Sequence, residues 1–242
     1  FGKFPLPSEA PWYEPLSLLT MIASHTTKIK LATAILIAPL RNPALLAKTV
    51  ATLDTISKGR LELGVGIGWQ KEEFDTAGVS FEDRSEIFWE TLDICKLLWQ
   101  DSPISFHGKH FNFDDIWCHP QPTQGQNLPL LFGLKMTHEN AQRISKVGHG
   151  WIPIKTSRDF ISAGKDILME AFIKEGRQDQ PRIRGQLPTC VDNNGVPNID
   201  LTLKELEKSM AAGLDEVEVF PINFVQSPDD IYKVLKIISE VK

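Results

Sequence analysis

Hydrophobic and polar positions follow two periods along this chain, and stretches of the two kinds alternate from one end to the other. Aliphatic runs bounded by turn residues predict β-strands, whereas apolar residues three and four positions apart predict amphipathic helices. The predicted strands cover residues 29–37, 61–67, 128–134, 150–154, 183–191 and 216–221. The predicted helices cover residues 14–25, 43–58, 82–99, 137–147, 157–175 and 202–212, and a last helix begins within 227–230.

This alternation of strands and helices predicts an α/β fold. Both a doubly wound sheet and a (β/α)8 barrel have this element order, and both bind ligands at the carboxyl ends of their strands. Residues 1–13 are rich in proline and aromatic side chains and predict a loop. Thr202 and Glu205 have the spacing of a capping box, which predicts a helix start at Thr202.

The most informative stretch is RLELGVGIGWQKEEF, residues 60–74, which predicts a buried strand running into a glycine-rich turn. Aliphatic residues alternate there with Gly64, Gly66 and Gly68, so one face of the strand carries almost no side chains. Either a flat ligand or a closely packed neighbouring element fits such a face. The third glycine is misplaced for the dinucleotide fingerprint G-x-G-x-x-G, which excludes a Rossmann fold.

Composition and charge narrow the class of partner. The chain has 242 residues, 42% of them hydrophobic, enough for one domain over residues 1–242. A net charge of -5 without a basic block argues against nucleic acid and anionic membranes and favours a small organic molecule. Residues 1–10 lack signal-peptide features, no apolar run reaches membrane-span length, and the three cysteines are far apart. We therefore expect a cytoplasmic protein with reduced thiols.

Residues 101–127 interrupt the alternation with prolines, histidines and aromatic residues, which predicts an insertion. His107 and His110 are three positions apart, but no glutamate accompanies them as in a zinc-binding H-E-x-x-H helix. We therefore predict no metal site. His119 and His138 lie in predicted loops or loop edges and receive no catalytic role, so the catalytic residues stay unassigned.

Three separated motifs then agree in order: PLRNPALLAKTVATLD at 39–54, GRLELGVGIGWQKEEF at 59–74 and HGKHFNF at 107–113. Together they resemble the luciferase-like monooxygenase family, and most of all its branch dependent on the deazaflavin coenzyme F-420. The resemblance runs from about Tyr13 to the carboxyl end. It implies a TIM barrel of the bacterial luciferase type with a flavin or deazaflavin at the carboxyl-end mouth of the strands.

The resemblance also implies specific cofactor contacts. Family members carry a cis peptide at the end of the third barrel strand, which corresponds to Ala34 and Ile35. The turn after the fourth strand flanks the cofactor and corresponds to residues 66–69, namely Gly66, Ile67, Gly68 and Trp69. A Gly-Gly pair of the family near the cofactor phosphate is replaced by Gly133, Leu134 and Lys135.

Other candidates come from side-chain chemistry alone. The charge of Arg41 suits a phosphate or an acidic substrate, although an arginine at a helix entry is equally often a surface residue. Trp12, Tyr13 and Trp117 either line an apolar substrate cavity or pack loops onto the barrel.

The expected activity is hydride transfer between coenzyme F-420 and an organic substrate, with monooxygenation by reduced FMN as the alternative. The family also implies a homodimer. Its members begin with a strand, a helix and a second strand that do not precede Phe1 here, so we expect a barrel incomplete at its amino end. A non-enzymatic binding or subunit module is therefore a further alternative.

Overall fold

The computed structural model describes residues 12–225, 227 and 230–241. It consists of two compact units, residues 1–133 and residues 134–242. Of the loop predicted over residues 1–13, residues 1–11 lie outside the described residues. Among the described residues, no helix is both long enough and apolar enough to cross a membrane.

The first unit contains a parallel sheet centred on one buried strand. Its strands are β1 (Leu31–Ala32), β2 (Leu36–Ile37), β3 (Leu61–Gly66) and β6 (Leu130–Phe132). Both β1 and β2 pair with β3 on one side, and β6 pairs with β3 on the other. All residues of β3 are buried, as the aliphatic run predicts.

The single strand predicted over residues 29–37 is wrong, because the chain leaves the strand path between β1 and β2. At this break the side chain of Thr33, rather than its backbone, bonds to Gly64 of β3. The Thr33 hydroxyl donates to the Gly64 carbonyl at 2.7 Å and accepts from the Gly64 N–H at 3.0 Å. The peptide bond between Ala34 and Ile35 is cis, which confirms the geometry implied by the resemblance.

In the described part of the first unit, residues 12–133, this sheet is accompanied by the helices α1 (Pro15–His25), α2 (Pro43–Ser57), α3 (Lys71–Ala77) and α4 (Arg84–Gln100). Asn42 caps α2, its side-chain oxygen accepting from the N–H groups of Ala44 and Leu45 at 3.1 Å each. Helix α3 was not predicted. The helix predicted over residues 82–99 is confirmed by α4, which buries one apolar stripe: Phe88, Leu92, Cys95 and Trp99.

The insertion over residues 101–127 contains an antiparallel hairpin of β4 (Ile104–His107) and β5 (Asn112–Ile116). The carboxylate of Glu90 on α4 holds the hairpin turn. It accepts hydrogen bonds from the N–H groups of Lys109 at 2.8 Å, His110 at 2.9 Å and Phe111 at 3.2 Å. The GKHF part of the third motif, residues 108–111, is therefore a turn built around a carboxylate.

The second unit contains the parallel strands β7 (Gly150–Trp151), β8 (Arg182–Gln186) and β9 (Glu216–Glu218). Its helices are α5 (His138–Val147), α6 (Arg158–Lys174), α7 (Ile199–Leu203), α8 (Leu206–Ala211) and α9 (Ile231–Ser239). Its strands are shorter than the predicted runs.

The capping box predicted at Thr202 is wrong. Asn198 caps α7 instead, its side chain accepting from the Leu201 N–H at 3.0 Å, while the Thr202 hydroxyl accepts from the Cys190 N–H at 2.9 Å. At the last helix, two residues of the predicted start, Pro228 and Asp229, lie outside the described residues, and Asp230 immediately precedes α9.

Candidate functional site

The side chain of Ile35 fills the bare face of β3. A β-carbon on Gly66 would overlap Ile35 Cδ1 and lie 3.3 Å from the carbonyl oxygen of Gly133. A β-carbon on Gly133 would lie 2.7 Å from Ile35 Cγ2. The two glycines therefore make room for a neighbouring side chain, which is one of the two uses that the sequence left open.

Ile35 keeps an accessible surface above these glycines. Its exposed fraction is 37%, and Ala34 beside it is also exposed. An aliphatic side chain supported from below by glycine backbone offers a flat apolar surface, which suits the face of a planar ring.

The turn after β3 also requires a glycine. Gly68 has a φ of +87°, a left-handed conformation that favours glycine, and a β-carbon there would lie 2.7 Å from Ile37 Cγ2 and 2.9 Å from Phe74 Cε2. Ile67 is half-buried, and Trp69 is 47% exposed. The turn thus presents one large aromatic ring to its surroundings.

A cavity of about 440 Å³ lies beside Ile35. Its lining residues come from the segment that leads into α1, from residues 35–41 around β2, and from α3: Trp12, Tyr13, Glu14, Pro15, Ile35, Leu36, Ile37, Leu40, Arg41 and Glu73. Two of the three aromatic residues predicted to line a substrate cavity, Trp12 and Tyr13, are among them. The third, Trp117, does not line this cavity. It follows the hairpin, its side chain is 63% exposed, and its ring centroid lies 5.9 Å from that of His119.

Arg41 lines this cavity with its charge already paired. Its Nη2 donates to Glu14 Oε1 at 2.6 Å, and the other oxygen of Glu14 accepts from the Ser17 N–H at 2.7 Å. Partial burial raises the pKa of Glu14, but the hydrogen bonds from Ser17 and Arg41 outweigh it and hold this pKa at about 2. Glu14 is therefore ionised whenever the protein is near neutral pH.

Sequence reasoning missed Glu14 and Glu73 as residues of this cavity. Glu14 was identified only as part of a helix start, and Glu73 is one of two adjacent glutamates in the first turn of α3. Helical periodicity places Glu72 and Glu73 on different faces, but the sequence does not tell which face meets the cavity.

Leu134 and Lys135 belong to the second unit. Leu134 is buried, and its carbonyl accepts from the Trp151 indole N–H at 2.8 Å. The Lys135 carbonyl accepts from the Asn140 amide at 2.9 Å, and the residue is exposed. Both backbone groups thus stabilise the segment that precedes α5.

His110 of the hairpin lies close to two carboxylates from the start of α4. Ligand atoms of Asp83, Glu86 and His110 lie within 4.8 Å of one another. The sequence argument that no glutamate accompanies His110 is therefore incomplete, since Glu86 comes from α4. The Lys109 ammonium lies 2.5 Å from a Glu86 oxygen, so this cluster already contains a cation.

Comparisons with known proteins point to one family. An uncharacterized protein of Mycobacterium tuberculosis is 33% identical over 171 residues, which cover 70% of this chain and 60% of that protein. The F-420-dependent glucose-6-phosphate dehydrogenase of Kineococcus radiotolerans is 29% identical over 178 residues, covering 72% of this chain and 51% of that enzyme. The chain thus spans about 60% or less of the length of these curated relatives.

A solved structure shares the fold. The oxygenating constituent of 3,6-diketocamphane monooxygenase from Pseudomonas putida, in complex with FMN, superposes with a TM-score of 0.75 at 17% identity, over 94% of this chain and 82% of that one. This likeness confirms the predicted fold class, the TIM barrel of luciferase-like enzymes. A family model described as luciferase-like monooxygenase matches residues 3–195. Because this match covers well over half of the sequence, the chain belongs to the luciferase-like monooxygenase family.

Proposed function

We propose that this protein is an oxidoreductase that transfers a hydride between coenzyme F-420 and an organic substrate. The observation that carries the proposal is the accessible side chain of Ile35, seated on Gly66 and Gly133 beside a cavity of about 440 Å³. The F-420 dependence of the Kineococcus relative supports the choice of cofactor.

The residues around Ile35 fit a planar cofactor. The exposed Ala34 and Ile35 would support one face of its ring, and the turn of Ile67, Gly68 and Trp69 would flank it. When bound, the deazaflavin supplies a carbon centre that donates or accepts a hydride. Contacts of Gly133, Leu134 and Lys135 with the cofactor phosphate stay a prediction from the resemblance.

The chain itself would orient the substrate and exclude water. Trp12 and Tyr13 provide apolar surface that replaces solvent around an organic molecule, and holding it against the ring at short range removes an entropic barrier to transfer. Arg41 carries five N–H donors, and its pairing with Glu14 leaves others to bond an oxygen of cofactor or substrate.

Reduced FMN is the second candidate cofactor, with monooxygenation as the reaction. The observation that favours it is the FMN complex of the structurally similar diketocamphane monooxygenase. The flat support at Ile35 does not distinguish a flavin from a deazaflavin, because both present a three-ring planar system.

Cofactor titration tests the proposal. The purified protein is titrated with coenzyme F-420, with FMN and with reduced FMN, and its melting temperature and the cofactor absorbance are followed. We expect F-420 to raise the melting temperature. At a free F-420 concentration one hundred times its Kd, binding should add about 2.7 kcal/mol to the free energy of unfolding. Stabilisation by FMN alone would select the monooxygenase. If neither F-420 nor either form of FMN binds, the enzyme proposal is wrong, and the result favours a non-enzymatic binding module.

Two variants locate the bound ring. Ile35→Ala removes the apolar support and is expected to weaken cofactor binding about tenfold, the equivalent of about 1.4 kcal/mol. Ile29→Ala is the matched control, since Ile29 is also an exposed isoleucine but precedes β1. Equal losses in the two variants would argue against a ring at Ile35.

We further propose a cytoplasmic homodimer. Exposed apolar side chains on α1 and α2, namely Leu18, Met21 and Leu45, offer surface for association. The free thiols of Cys95, Cys118 and Cys190 suit a reducing compartment. Light scattering should give twice the chain mass of 27.2 kDa, and a monomer mass would contradict the dimer. Thiol alkylation in cell extract should find all three cysteines reduced.

A further inference from the structure

We propose that the cavity beside Ile35 selects organic molecules with an apolar body and a cationic or N–H-bearing end, and disfavours carboxylates and phosphates. This proposal rests on the proposed function in one respect, that the cavity is where the substrate binds. It names the class of substrate, which the family resemblance leaves open.

The shape and surface of the cavity determine the body of the ligand. Most lining side chains are apolar, and Trp12 and Tyr13 contribute aromatic rings. A volume of about 440 Å³ is in the range of small-molecule sites, and aromatic faces favour a flat or aliphatic body and also attract cations.

The positive charge of the cavity is compensated within the protein. Arg41 is the one cation among its described lining residues, and its Nη2 lies 2.6 Å from Glu14 Oε1. Glu14 is fixed in this position by the Ser17 N–H at 2.7 Å. An incoming anion would therefore have to compete with a carboxylate that is already bound to the guanidinium.

The negative charge of Glu73 is not compensated in the same way. Within the described part of the chain, no cation lies within ion-pair distance of its carboxylate. The nearest lysine in sequence, Lys71, is engaged by Asp75, with its Nζ 2.5 Å and 2.7 Å from the two carboxylate oxygens. The described lining thus carries two carboxylates and one guanidinium, a net charge of -1.

This charge sets the preference between ligands of the same shape. An ammonium about 4 Å from a solvated carboxylate gains about 1 kcal/mol, a factor of about five in affinity, and a ligand carboxylate loses a comparable amount. We expect the difference between a cationic and an anionic ligand to be about tenfold or more. Added salt reduces it, since the cavity is open to solvent.

Three probes that share one ring test the preference: benzylamine, benzyl alcohol and benzoate. Each is titrated calorimetrically into the purified protein at pH 7 without cofactor, and again with the cofactor that stabilises it. The expected order of affinity is benzylamine, then benzyl alcohol, then benzoate. Glu73→Gln should weaken benzylamine binding about fivefold and leave benzyl alcohol unchanged.

Glu72→Gln provides a matched control. Glu72 is exposed, lies in the same first turn of α3 and does not line the cavity, so its substitution changes the protein charge equally. We expect no effect on any probe. The proposal is overturned if benzoate binds as tightly as benzylamine, if Glu72→Gln acts like Glu73→Gln, or if no probe binds.

The two proposals fail separately in this experiment. Cofactor binding without a charge preference among the probes would overturn the substrate class and leave the oxidoreductase intact. A charge preference that depends on Glu73, in a protein that binds neither F-420 nor FMN, would support the selective cavity and overturn the oxidoreductase.

Discussion

Ile35 occupies the space that a β-carbon on Gly66 would need, and it also contacts the glycine at the end of β6. Three residues distant in sequence, Ile35, Gly66 and Gly133, thus form one small packing unit. Its upper surface is the accessible part of Ile35. Substitutions at Gly66 or Gly133 should therefore displace Ile35 and alter the surface where the cofactor is proposed to bind.

Gly66→Ala tests this unit. The new methyl group would overlap Ile35 Cδ1, the end of a partly exposed side chain that can rotate away. We expect a loss of about 1–2 kcal/mol in the free energy of unfolding, typical of moderate overpacking, together with weaker cofactor binding. Urea unfolding and cofactor titration measure the two effects.

The double variant Ile35→Ala, Gly66→Ala provides the control. Shortening Ile35 removes the atom in conflict, so the two substitutions should be non-additive by about 1 kcal/mol or more. Strict additivity would show that Ile35 does not limit the space at Gly66.

A second glycine should tolerate alanine less well. A β-carbon on Gly150 would overlap the Arg182 carbonyl oxygen and lie 2.9 Å from the carbonyl carbon. These are backbone atoms of the neighbouring strand β8 and cannot rotate away. Gly150→Ala should therefore cost about 3 kcal/mol or more, at the upper end for overpacking. A smaller loss than for Gly66→Ala, measured by the same urea unfolding, would contradict this comparison.

The hairpin turn should depend on Glu90. Glu90→Ala removes the acceptor of three backbone N–H groups and leaves them to solvent, so we expect a loss of about 1–3 kcal/mol in urea unfolding. Glu86→Ala is the control, because the exposed Glu86 carboxylate contacts the side chains of Lys109 and His110, contacts that solvent screens, so its loss should be much smaller. Equal losses would mean that the turn is held by ion pairs.

Local signals predicted the helices better than the strands. Asn42 with Pro43, and Thr137 with its side chain accepting from the Asn140 N–H, define helix starts within one turn of chain. The break at Thr33 was not predictable in this way. It depends on a hydroxyl bonded to Gly64, 31 residues away in sequence, and aliphatic periodicity continues across it.

The candidate site was predictable only in part. The residues of the glycine strand and of Ala34 and Ile35 belong to motifs that the family resemblance marks. Glu14 and Glu73 become neighbours of the same cavity only because the start of α1, the residues around β2 and the helix α3 line it together. No periodicity in either segment encodes that proximity.

The pair of Glu14 and Arg41 should make stability depend on acid pH. Because the pKa of Glu14 in the folded protein is about 2, below its usual value near 4.5, the pair stabilises the protein above pH 4.5. This stabilisation is lost as the pH falls from about 4.5 to about 2. Since Glu14 is 43% exposed, solvent screening limits it to about 1 kcal/mol.

Urea unfolding between pH 6 and pH 2.5 measures the effect of this pair. Glu14→Gln should destabilise the protein at pH 6 and have little effect at pH 2.5. Arg41→Gln should reduce the same dependence without abolishing it, because the Ser17 N–H still holds the carboxylate. A constant difference between Glu14→Gln and wild type at every pH would contradict the assignment.

Two glutamates on β9 should respond to substitution in opposite directions. Burial raises the pKa of Glu218, and the charge of Glu216 adds to this while Arg184 opposes it. The folded protein therefore loses stability as the pH rises above the usual glutamate pKa, since the unfolded chain ionises more easily. Glu218→Gln should stabilise the protein at pH 7, by up to about 1 kcal/mol, and not at pH 4.

Glu216 has the reverse environment, although it also lies on β9. Its carboxylate accepts from Arg182 Nε at 3.0 Å and from Arg184 Nε at 2.6 Å, and Arg184 is only 7% exposed. Burial raises the pKa of Glu216, but these hydrogen bonds lower it by more. Glu216→Gln removes the negative charge beside a buried guanidinium and should cost about 3 kcal/mol at pH 7. Melting curves of Glu218→Gln and Glu216→Gln at pH 4 and pH 7 measure the two effects on stability. Destabilisation by Glu218→Gln at pH 7 would instead show that Glu218 is held as a charged partner of Arg184.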